Sequence, residues 1–393
     1  MAIPRAVRRY VVSDREPELQ ITRSSGSHVF DERGRRYVDF LTGWCVGNLG
    51  WGHPPLERVA RSFRGPDYVY PGYAYEPWGE LAQLLVSVAP RGLARCARAT
   101  GGSEAVDIAL QAAMIHTGRR RFLSLEDSYH GNTIGALSVG ESSYREHMPA
   151  LLPNCAKIRT PLDERALERI RKRLARRDVA AFIFEPISIN LGVTEPTREI
   201  AQEIQRLCRR FGTMLIADEV ASGFGRTGRL FACEHFDLEP DIMTVAKALT
   251  GGVSGIGAVL MTEDVAASLR EHGNVYSTYG WHPRSTAVAI ATMKYLIRRR
   301  GPLLRGVERM SEYFRERFLQ MPFDDEPELR IRGMALAVDI HDEARADAIQ
   351  KRCRRNGLLL DTNDGALLLL PALTIARDVA EEGLDLLVES IAG

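Results

Sequence analysis

Four short apolar runs in the middle of the chain each lead into polar residues, and this pattern limits the folds that the chain can adopt. The runs have the length of strands: RFLSL (121–125), AAFIF (180–184), TMLIA (213–217) and DIMTVA (241–246). Longer helical patterns separate them, which is typical of strand, helix, strand units. The sequence therefore predicts an α/β fold with a mostly parallel central sheet and helices on both faces.

The polar residues come at the carboxyl ends of these runs. The first run leads into EDSYHG, the second ends at Glu185, the third at Asp218 and Glu219, and the fourth at Lys247. Open α/β sheets bind their ligands outside the carboxyl ends of the strands. We therefore expect a single site at this edge of the sheet.

Length, charge and cysteine usage favour a cytoplasmic protein with small-molecule partners. The 393 residues are enough for a large domain and a smaller one, and 52 basic residues nearly balance 51 acidic ones. This balance predicts no nucleic-acid partner, and no apolar stretch has the length of a signal-peptide core or a membrane span. The six cysteines contain no C-x-x-C pair, and His130 and His282 lack the spacing of metal ligands. We expect neither disulfides nor a metal.

The two ends of the chain differ in pattern from its centre. Near the C-terminus, residues 285–297 and 308–321 read as helices, and LRIRGMALAVDI and GALLLLPALTI read as strands. The N-terminal GSHVFDERGRRYVDF alternates like a hairpin that turns at DERG. The prediction is a large domain and a small α+β domain, with these bounds: 52–284 for the large domain, 1–51 and 285–393 for the small one.

The stretch ATGGSEAVDIALQAAM (99–114) predicts a helix that begins near Gly102 and Ser103. Small apolar residues recur in it at helical spacing. Free main-chain N–H groups at such a start can bind a phosphate or carboxylate, although ordinary N-capping also explains glycine and serine there.

Lys247 and Asp218 carry the strongest chemical signal. A lysine in a partly dry position loses its proton more readily than in water and can form a Schiff base with an aldehyde. A buried carboxylate needs a partner, and a protonated pyridine nitrogen supplies a charge-assisted hydrogen bond. Together with an anion site these groups describe pyridoxal 5'-phosphate. A structural pairing of Lys247 with Asp218 or Glu185 is the alternative.

Five motifs, in order along the chain, resemble those of the class III, or omega, aminotransferase family of fold type I pyridoxal-phosphate enzymes. The resemblance extends from about Gly34 to the C-terminus, and it is carried by ATGGSEAVDIAL, SYHGNTIGALSVG, FEPI, ADEVASGFGRTGRLFACEHFDLEPDIMTVAKALTGG and TYGWHP. It implies an enzyme that moves an amino group from an amine or amino-bearing metabolite to a keto or aldehyde acceptor. It also implies a homodimer with active sites at the interface.

The resemblance assigns roles to individual residues. Lys247 would hold the cofactor as a Schiff base and shuttle protons, and Asp218 would pair with the pyridine nitrogen. Glu185 would help to orient Asp218, and His130 lies in a cofactor-binding motif.

Further cofactor contacts follow from the same resemblance. Gly102 and Ser103 would bind the phosphate, and Thr278 would reach it from the partner subunit. Val220 and Tyr129 would cover the two faces of the ring; each could instead be a core residue.

Trp44, Tyr70 and Tyr73 are the candidates for the substrate pocket. The segments LTGWCVGNLGWGHP and DYVYPGYAYEP, which contain them, resemble segments that line the substrate channel in the family. As aromatic residues near a domain edge they are equally compatible with a place in the core.

Several positions depart from the family pattern. Members that act on ornithine-like amino acids carry arginine directly after HG, where this chain has Asn132, and many carry arginine where it has Leu368. Neither residue can replace a guanidinium that clamps a carboxylate. We therefore expect a donor that reacts through a terminal amine or a larger amino-bearing metabolite. Ala221 replaces a common glutamine. Arg226 is expected to form a structural salt bridge, and the alternative is that it binds a dicarboxylate co-substrate.

Three other functions were weighed against aminotransfer. GFGRTG (223–228) matches the dinucleotide fingerprint, but Pro240 soon interrupts the segment after it, so no long helix follows. An aminomutase or epimerase of the same family would share the cofactor motifs. A scaffold without catalytic activity would have no physical need for the pair Lys247 and Asp218.

Overall fold

The N-terminal part forms a hairpin and short helices in a computed structural model that describes residues 3–12 and 18–393. Its elements are α1 (Arg5–Tyr10), β1 (Ile21–Ser25), β2 (His28–Asp31), β3 (Arg36–Asp39), α2 (Thr42–Cys45), α3 (Pro54–Ser62) and α4 (Glu76–Val86). Strands β2 and β3 pair antiparallel around the DERG turn, as predicted. Asp31 Oδ1 closes this turn by accepting the N–H groups of Arg33 and Arg35, each at 2.9 Å.

A seven-stranded sheet forms the centre of the protein. Its strands are β4 (Arg95–Ala99), β5 (Arg121–Leu125), β6 (Cys155–Ile158), β7 (Val179–Phe184), β8 (Met214–Asp218), β9 (Ile242–Val245) and β10 (Gly257–Met261). Their order is β4-β10-β9-β8-β7-β5-β6, and β10 alone runs antiparallel to its neighbours. All four predicted strands are therefore confirmed, side by side and parallel.

Helices cover both faces of this sheet, as predicted. They are α5 (Gly102–Thr117), α6 (Ile134–Val139), α7 (Tyr144–His147), α8 (Glu164–Leu174), α9 (Arg198–Phe211) and α10 (Glu263–His272). Phe182 and Phe184 of β7 belong to the same core as Ile170 of α8. Ile183 between them points to the opposite face, where it shares a core with Ile108 of α5. Burial on both faces explains the continuous apolar run of this strand.

The C-terminal part builds a second, antiparallel sheet. Its elements are α11 (Pro283–Phe318), β11 (Glu328–Arg332), β12 (Ala335–Asp339), α12 (Glu343–Asn356), β13 (Leu358–Leu359), β14 (Asp361–Asn363), β15 (Ala366–Leu369) and α13 (Arg377–Ala392). The sheet order is β11-β12-β15-β14. Strand β13 pairs with β3, so the sheet that contains the N-terminal hairpin also contains a strand from the C-terminal part.

Helix α11 is continuous where the sequence suggests two helices. It passes through Pro302, although an internal proline costs about 3 kcal/mol. Its first half packs in the core of the central sheet through residues such as Met293, and its second half packs in the lobe core through Phe314. Burial in two cores offsets the proline. The predicted domain boundary after residue 284 lies in the first turn of this helix.

The cysteines and the helices of the described residues bear on the compartment of the protein. All six cysteines are unpaired. Within residues 3–12 and 18–393, no helix combines the length and the apolar character that a membrane span requires.

Candidate active site

The carboxyl ends of β5, β7, β8 and β9 meet at one edge of the central sheet, as the sequence predicts. Asp218 is the last residue of β8 and lies opposite Thr244 of β9. Lys247 follows β9 directly and begins a short 3₁₀-helix, Lys247–Thr250, with a φ of 39°. A positive φ is uncommon outside glycine, and strained residues of this kind are enriched at functional sites.

Asp218 is buried and held by three neighbours. Its Oδ1 accepts the hydroxyl of Thr244 at 2.9 Å and the main-chain N–H of Val220 at 3.1 Å. Its Oδ2 lies 2.7 Å from Nδ1 of His130, which is also buried. These contacts fix the carboxylate while Oδ2 can still accept a second donor.

His130 and Glu185 each present a buried polar atom that is free for a ligand. In the described part of the chain, Nε2 of His130 and Oε1 of Glu185 have no hydrogen-bond partner. Such atoms are rare in folded proteins, and a ligand bound between these two residues could satisfy both. Burial, reinforced by the charge of Asp218, raises the pKa of Glu185 well above its usual range, whereas the charge of Lys247 opposes this rise. The three groups therefore share one electrostatic environment.

The interaction of Glu185 with Asp218 is electrostatic and involves no hydrogen bond between the two described side chains. The hydrogen bonds to the carboxylate come from His130, Thr244 and Val220. Thr244 is not among the site residues that the sequence predicts. Its place opposite Asp218 on a neighbouring predicted strand could have indicated it.

The start of α5 contributes free N–H groups to the same site. Gly102 and Ser103 are its first residues, and a Cβ atom on Gly102 would lie only 3.1 Å from Cγ1 of Val220. The glycine thus allows the helix start to approach Val220, two residues after Asp218. Helix N-termini of this kind bind phosphate.

A loop after β5 crosses this helix start. Gly131 has a φ of 124°, and a Cβ atom there would lie 2.4 Å from Oγ of Ser103. The main-chain N–H of Asn132 donates to the same Oγ at 3.0 Å. Tyr129, next to buried His130, keeps 47% of its surface exposed, so its ring can stack on a ligand.

The remaining predicted residues lie farther out. Thr278 is exposed. Tyr70 and Tyr73 are exposed, with ring centroids 5.3 Å apart, and Tyr276 stands 6.5 Å from Tyr70. Trp44 is half-buried, and its Nε1 donates to Oδ2 of Asp361 at 3.0 Å.

The structure shows the surroundings of Leu368, which departs from the family pattern, and of Arg226. Leu368 is fully buried in β15 and leaves no cation there. Arg226 is also fully buried, but the expected salt bridge is wrong: within the described residues, its guanidinium hydrogen-bonds to neutral oxygens only. It is thus unavailable to a co-substrate.

The site fits pyridoxal phosphate and defines a class of enzyme. A lysine amine, a fixed carboxylate, an anion-binding helix start and an exposed aromatic ring converge at one sheet edge. The sequence model of class III aminotransferases matches residues 10–391. The chain belongs to the class III aminotransferase family.

Known relatives agree with this assignment. Acetylornithine aminotransferase of Methanosarcina mazei is 32% identical over 381 residues, which cover 96% of this chain and 92% of the relative. The ornithine aminotransferase of Toxoplasma gondii, with pyridoxal phosphate at partial occupancy, superposes with a TM-score of 0.89 at 26% identity, over 98% and 93% of the two chains. Taurine:2-oxoglutarate aminotransferase of Bifidobacterium kashiwanohense, solved with pyridoxal phosphate and glutamate, gives 0.90 at 25% identity, over 98% and 96%.

These relatives confirm the fold and the activity class. The chain is a fold type I, pyridoxal-phosphate-dependent aminotransferase that moves an amino group between an amino donor and a keto or aldehyde acceptor.

Proposed function

We propose that Lys247 and Asp218 are the catalytic pair of this aminotransferase. The observation that carries the proposal is the Asp218 carboxylate, buried and fixed by His130, Thr244 and Val220, one strand away from Lys247. A scaffold or a simple salt bridge would not require this arrangement. Lys247 is therefore the covalent anchor of the cofactor and its proton carrier.

Lys247 and Asp218 have different roles in the reaction. When bound, pyridoxal phosphate supplies an aldehyde that condenses with amines and a ring that withdraws electrons. Lys247 Nζ would hold the cofactor through its aldehyde and would act as the base that carries the proton given up by the donor carbon. Asp218 Oδ2, held by His130, keeps the ring nitrogen protonated.

The binding residues follow from their positions around this pair. Gly102 and Ser103 bind the phosphate at the start of α5, which provides donors and the positive end of the helix dipole. Val220, in contact with Gly102, covers one face of the ring, and Tyr129 covers the other.

The second subunit completes the site in this proposal. Thr278 is exposed, which suits a contact between its hydroxyl and the phosphate of a partner subunit. The exposed tyrosines 70, 73 and 276 beside it suit a surface that becomes covered in a homodimer. The six free thiols favour the cytoplasm as the compartment.

The donor that we propose is a terminal amine or a larger amino-bearing metabolite. Asn132 and buried Leu368 leave the site without guanidinium groups at the two positions where relatives clamp a carboxylate, and Arg226 cannot substitute. Trp44, Tyr70 and Tyr73 would form the walls of the donor pocket.

The first test is the visible absorbance of the purified enzyme before and after each of four donors. L-glutamate, L-ornithine, N-acetylornithine and 1,4-diaminobutane sample the classes. A yellow band that the diamine bleaches faster than ornithine and N-acetylornithine supports the proposed donor class. Ornithine or N-acetylornithine as the fastest donor would contradict it.

The second test addresses Lys247 itself. Lys247→Ala is expected to remove the yellow band and all turnover while leaving the fold intact, as judged by circular dichroism. Lys294→Ala is the control, because Lys294 lies in an exposed ion pair with Glu80. Turnover of Lys247→Ala at the level of this control would refute the assignment.

A further inference from the structure

Arg226 joins three separate segments of the chain from the inside of the protein. Its side chain is 0% exposed. Nη1 donates to the carbonyl oxygens of Met334 at 2.8 Å and Pro371 at 2.6 Å. Nη2 donates to Oδ1 of Asn48 at 2.6 Å and to the hydroxyl oxygen of Thr42 at 3.3 Å. The loop after β8, the C-terminal lobe and the segment 42–48 therefore meet at one guanidinium.

The segment held in this way has an unusual backbone. Thr42, Gly43, Trp44 and Cys45 all have positive φ angles, of 49°, 60°, 57° and 67°. A left-handed conformation costs about 1–2 kcal/mol for each residue other than glycine. Such a turn persists only where its surroundings determine it. We call Thr42–Cys45 the left-handed turn.

A second buried group holds the left-handed turn from the other side. Asp39 Oδ1 accepts the main-chain N–H of Thr42 at 2.8 Å, and Oδ2 accepts Nε1 of Trp51 at 2.7 Å. The Trp51 ring packs against Gly252, where a Cβ atom would lie 2.7 Å from the ring. Gly252 follows the 3₁₀-helix that Lys247 begins, so the left-handed turn is linked to the turn of the catalytic lysine.

The left-handed turn determines the position of Trp44. Its indole reaches Asp361 of the C-terminal lobe at 3.0 Å. Without the left-handed backbone, the side chain would leave the Cα atom in another direction. A residue that fixes this turn thereby fixes one proposed wall of the donor pocket.

We propose that Arg226 is a positioning residue for the transamination: it holds the left-handed turn, and with it Trp44, between the lysine turn and the C-terminal lobe. This inference rests on the proposed function in one respect, because Trp44 is a pocket wall only by that proposal. Arginine is required because its planar guanidinium offers donors in fixed directions to four acceptors, which an ammonium group cannot reach together.

The test compares Arg226→Lys with Arg119→Lys. Arg119 is a matched control, since its guanidinium also binds main-chain carbonyls, among them that of Val179 at 3.1 Å, at the other end of the central sheet. In Arg226→Lys we expect amide hydrogen exchange of residues 41–48 to rise about tenfold or more, because the variant loses hydrogen bonds that hold this segment closed. In Arg119→Lys the exchange of this segment is expected to stay as in the wild type.

Kinetics of the loaded enzyme supply a second readout. The KM of the donor is expected to rise about tenfold in Arg226→Lys, while kcat and the visible spectrum stay near wild type, because the wall binds the donor and takes no part in proton transfer. Equal losses in both arginine variants, or unchanged exchange at residues 41–48, would overturn the inference. Increased exchange with an unchanged KM would support the role of Arg226 in holding the left-handed turn and would refute Trp44 as a pocket wall.

A second variant covers the case in which Arg226→Lys does not fold. Thr42→Val removes one acceptor of Arg226 and the hydroxyl that donates to Leu370 O at 2.7 Å. Thr292→Val is its control, since Thr292 is equally buried and bonds only within α11. Exchange at residues 41–48 is expected to increase in Thr42→Val alone, and an equal result in both variants would overturn the inference.

Discussion

At the scale of single residues, the neighbours of Asp218 decide how well the site holds a pyridinium ring. One oxygen accepts two donors, from Thr244 and Val220, and the other faces the His130 imidazole. Because Asp218, His130 and Thr244 are buried, their contacts act in a medium of low polarity, where they are strong. The carboxylate is thus oriented before the cofactor arrives.

His130→Ala is expected to weaken the binding of pyridoxal phosphate about 10- to 100-fold, because hydrogen bonds to charged groups contribute about 1.5–3 kcal/mol. Titration of the apoenzyme with the cofactor, followed by absorbance, measures the effect. His116→Ala is the control, because His116 bonds to Ser268 between α5 and α10. Equal affinities in the two variants would remove His130 from the site.

Replacing Glu185 with a neutral side chain is expected to increase the free energy of unfolding, by an amount that grows with pH. Its pKa is raised in the folded chain, first by burial and then by the charge of Asp218. Between the unfolded pKa of 4.5 and the raised folded value, the folded state binds more protons, so this group lowers the free energy of unfolding as pH increases. Glu185→Gln does not titrate, so the loss is absent in the variant.

Urea denaturation of the apoenzyme at several pH values checks this expectation. Wild type and Glu185→Gln are expected to differ least at pH 4, and the variant is expected to be the more stable at pH 8. A difference that is constant with pH would show that Glu185 does not titrate as inferred.

At the scale of elements, the site depends on how closely the loop after β5 approaches the start of α5. Gly131 permits this approach through a positive φ and the absence of a Cβ atom. The loop then gives Ser103 a hydrogen bond from Asn132 and leaves Tyr129 exposed above the sheet edge. Loop and helix start therefore act as a single binding element.

Gly131→Ala is expected to lower cofactor affinity at least about tenfold, because the added methyl group would lie 2.4 Å from Oγ of Ser103 and displace it. Gly118→Ala is the control: Gly118 ends the same helix with a φ of 66° but has open space around it. Both variants carry the strain of a positive φ, so a loss of cofactor affinity in Gly131→Ala alone isolates the contact with Ser103. Equal affinities would contradict it.

At the scale of the whole molecule, the proposal that two subunits share each site rests on the exposed segment around Thr278. Thr278→Ala is expected to weaken cofactor binding about tenfold, as for one hydrogen bond to a charged group. Sedimentation of the wild-type enzyme is expected to give a dimer.

Hybrid dimers test whether the threonine acts across the interface. A heterodimer of one Lys247→Ala chain and one Thr278→Ala chain contains one site with both native residues if Thr278 comes from the partner. At limiting cofactor, this heterodimer is expected to exceed the mean activity of the two mutant homodimers. Activity equal to that mean would place Thr278 and Lys247 in the same subunit, or outside the site.

The sequence by itself determined the central sheet and the location of the site. The four apolar runs became adjacent parallel strands because burial on both faces requires continuous apolar residues. Asp218, Glu185 and Lys247 could be placed together since the carboxyl ends of parallel strands meet at one edge. Gly102 and Ser103 could be placed at a helix start from spacing and small residues alone.

Only the tertiary structure decided which neighbours hold these groups. The contact of His130 with Asp218, the continuity of α11 through Pro302 and the burial of Arg226 among neutral acceptors join residues far apart in sequence. No local pattern encodes such contacts, because they depend on how separate elements pack. The left-handed turn at Trp44 is the clearest case, since its local conformational preference opposes the backbone that packing imposes.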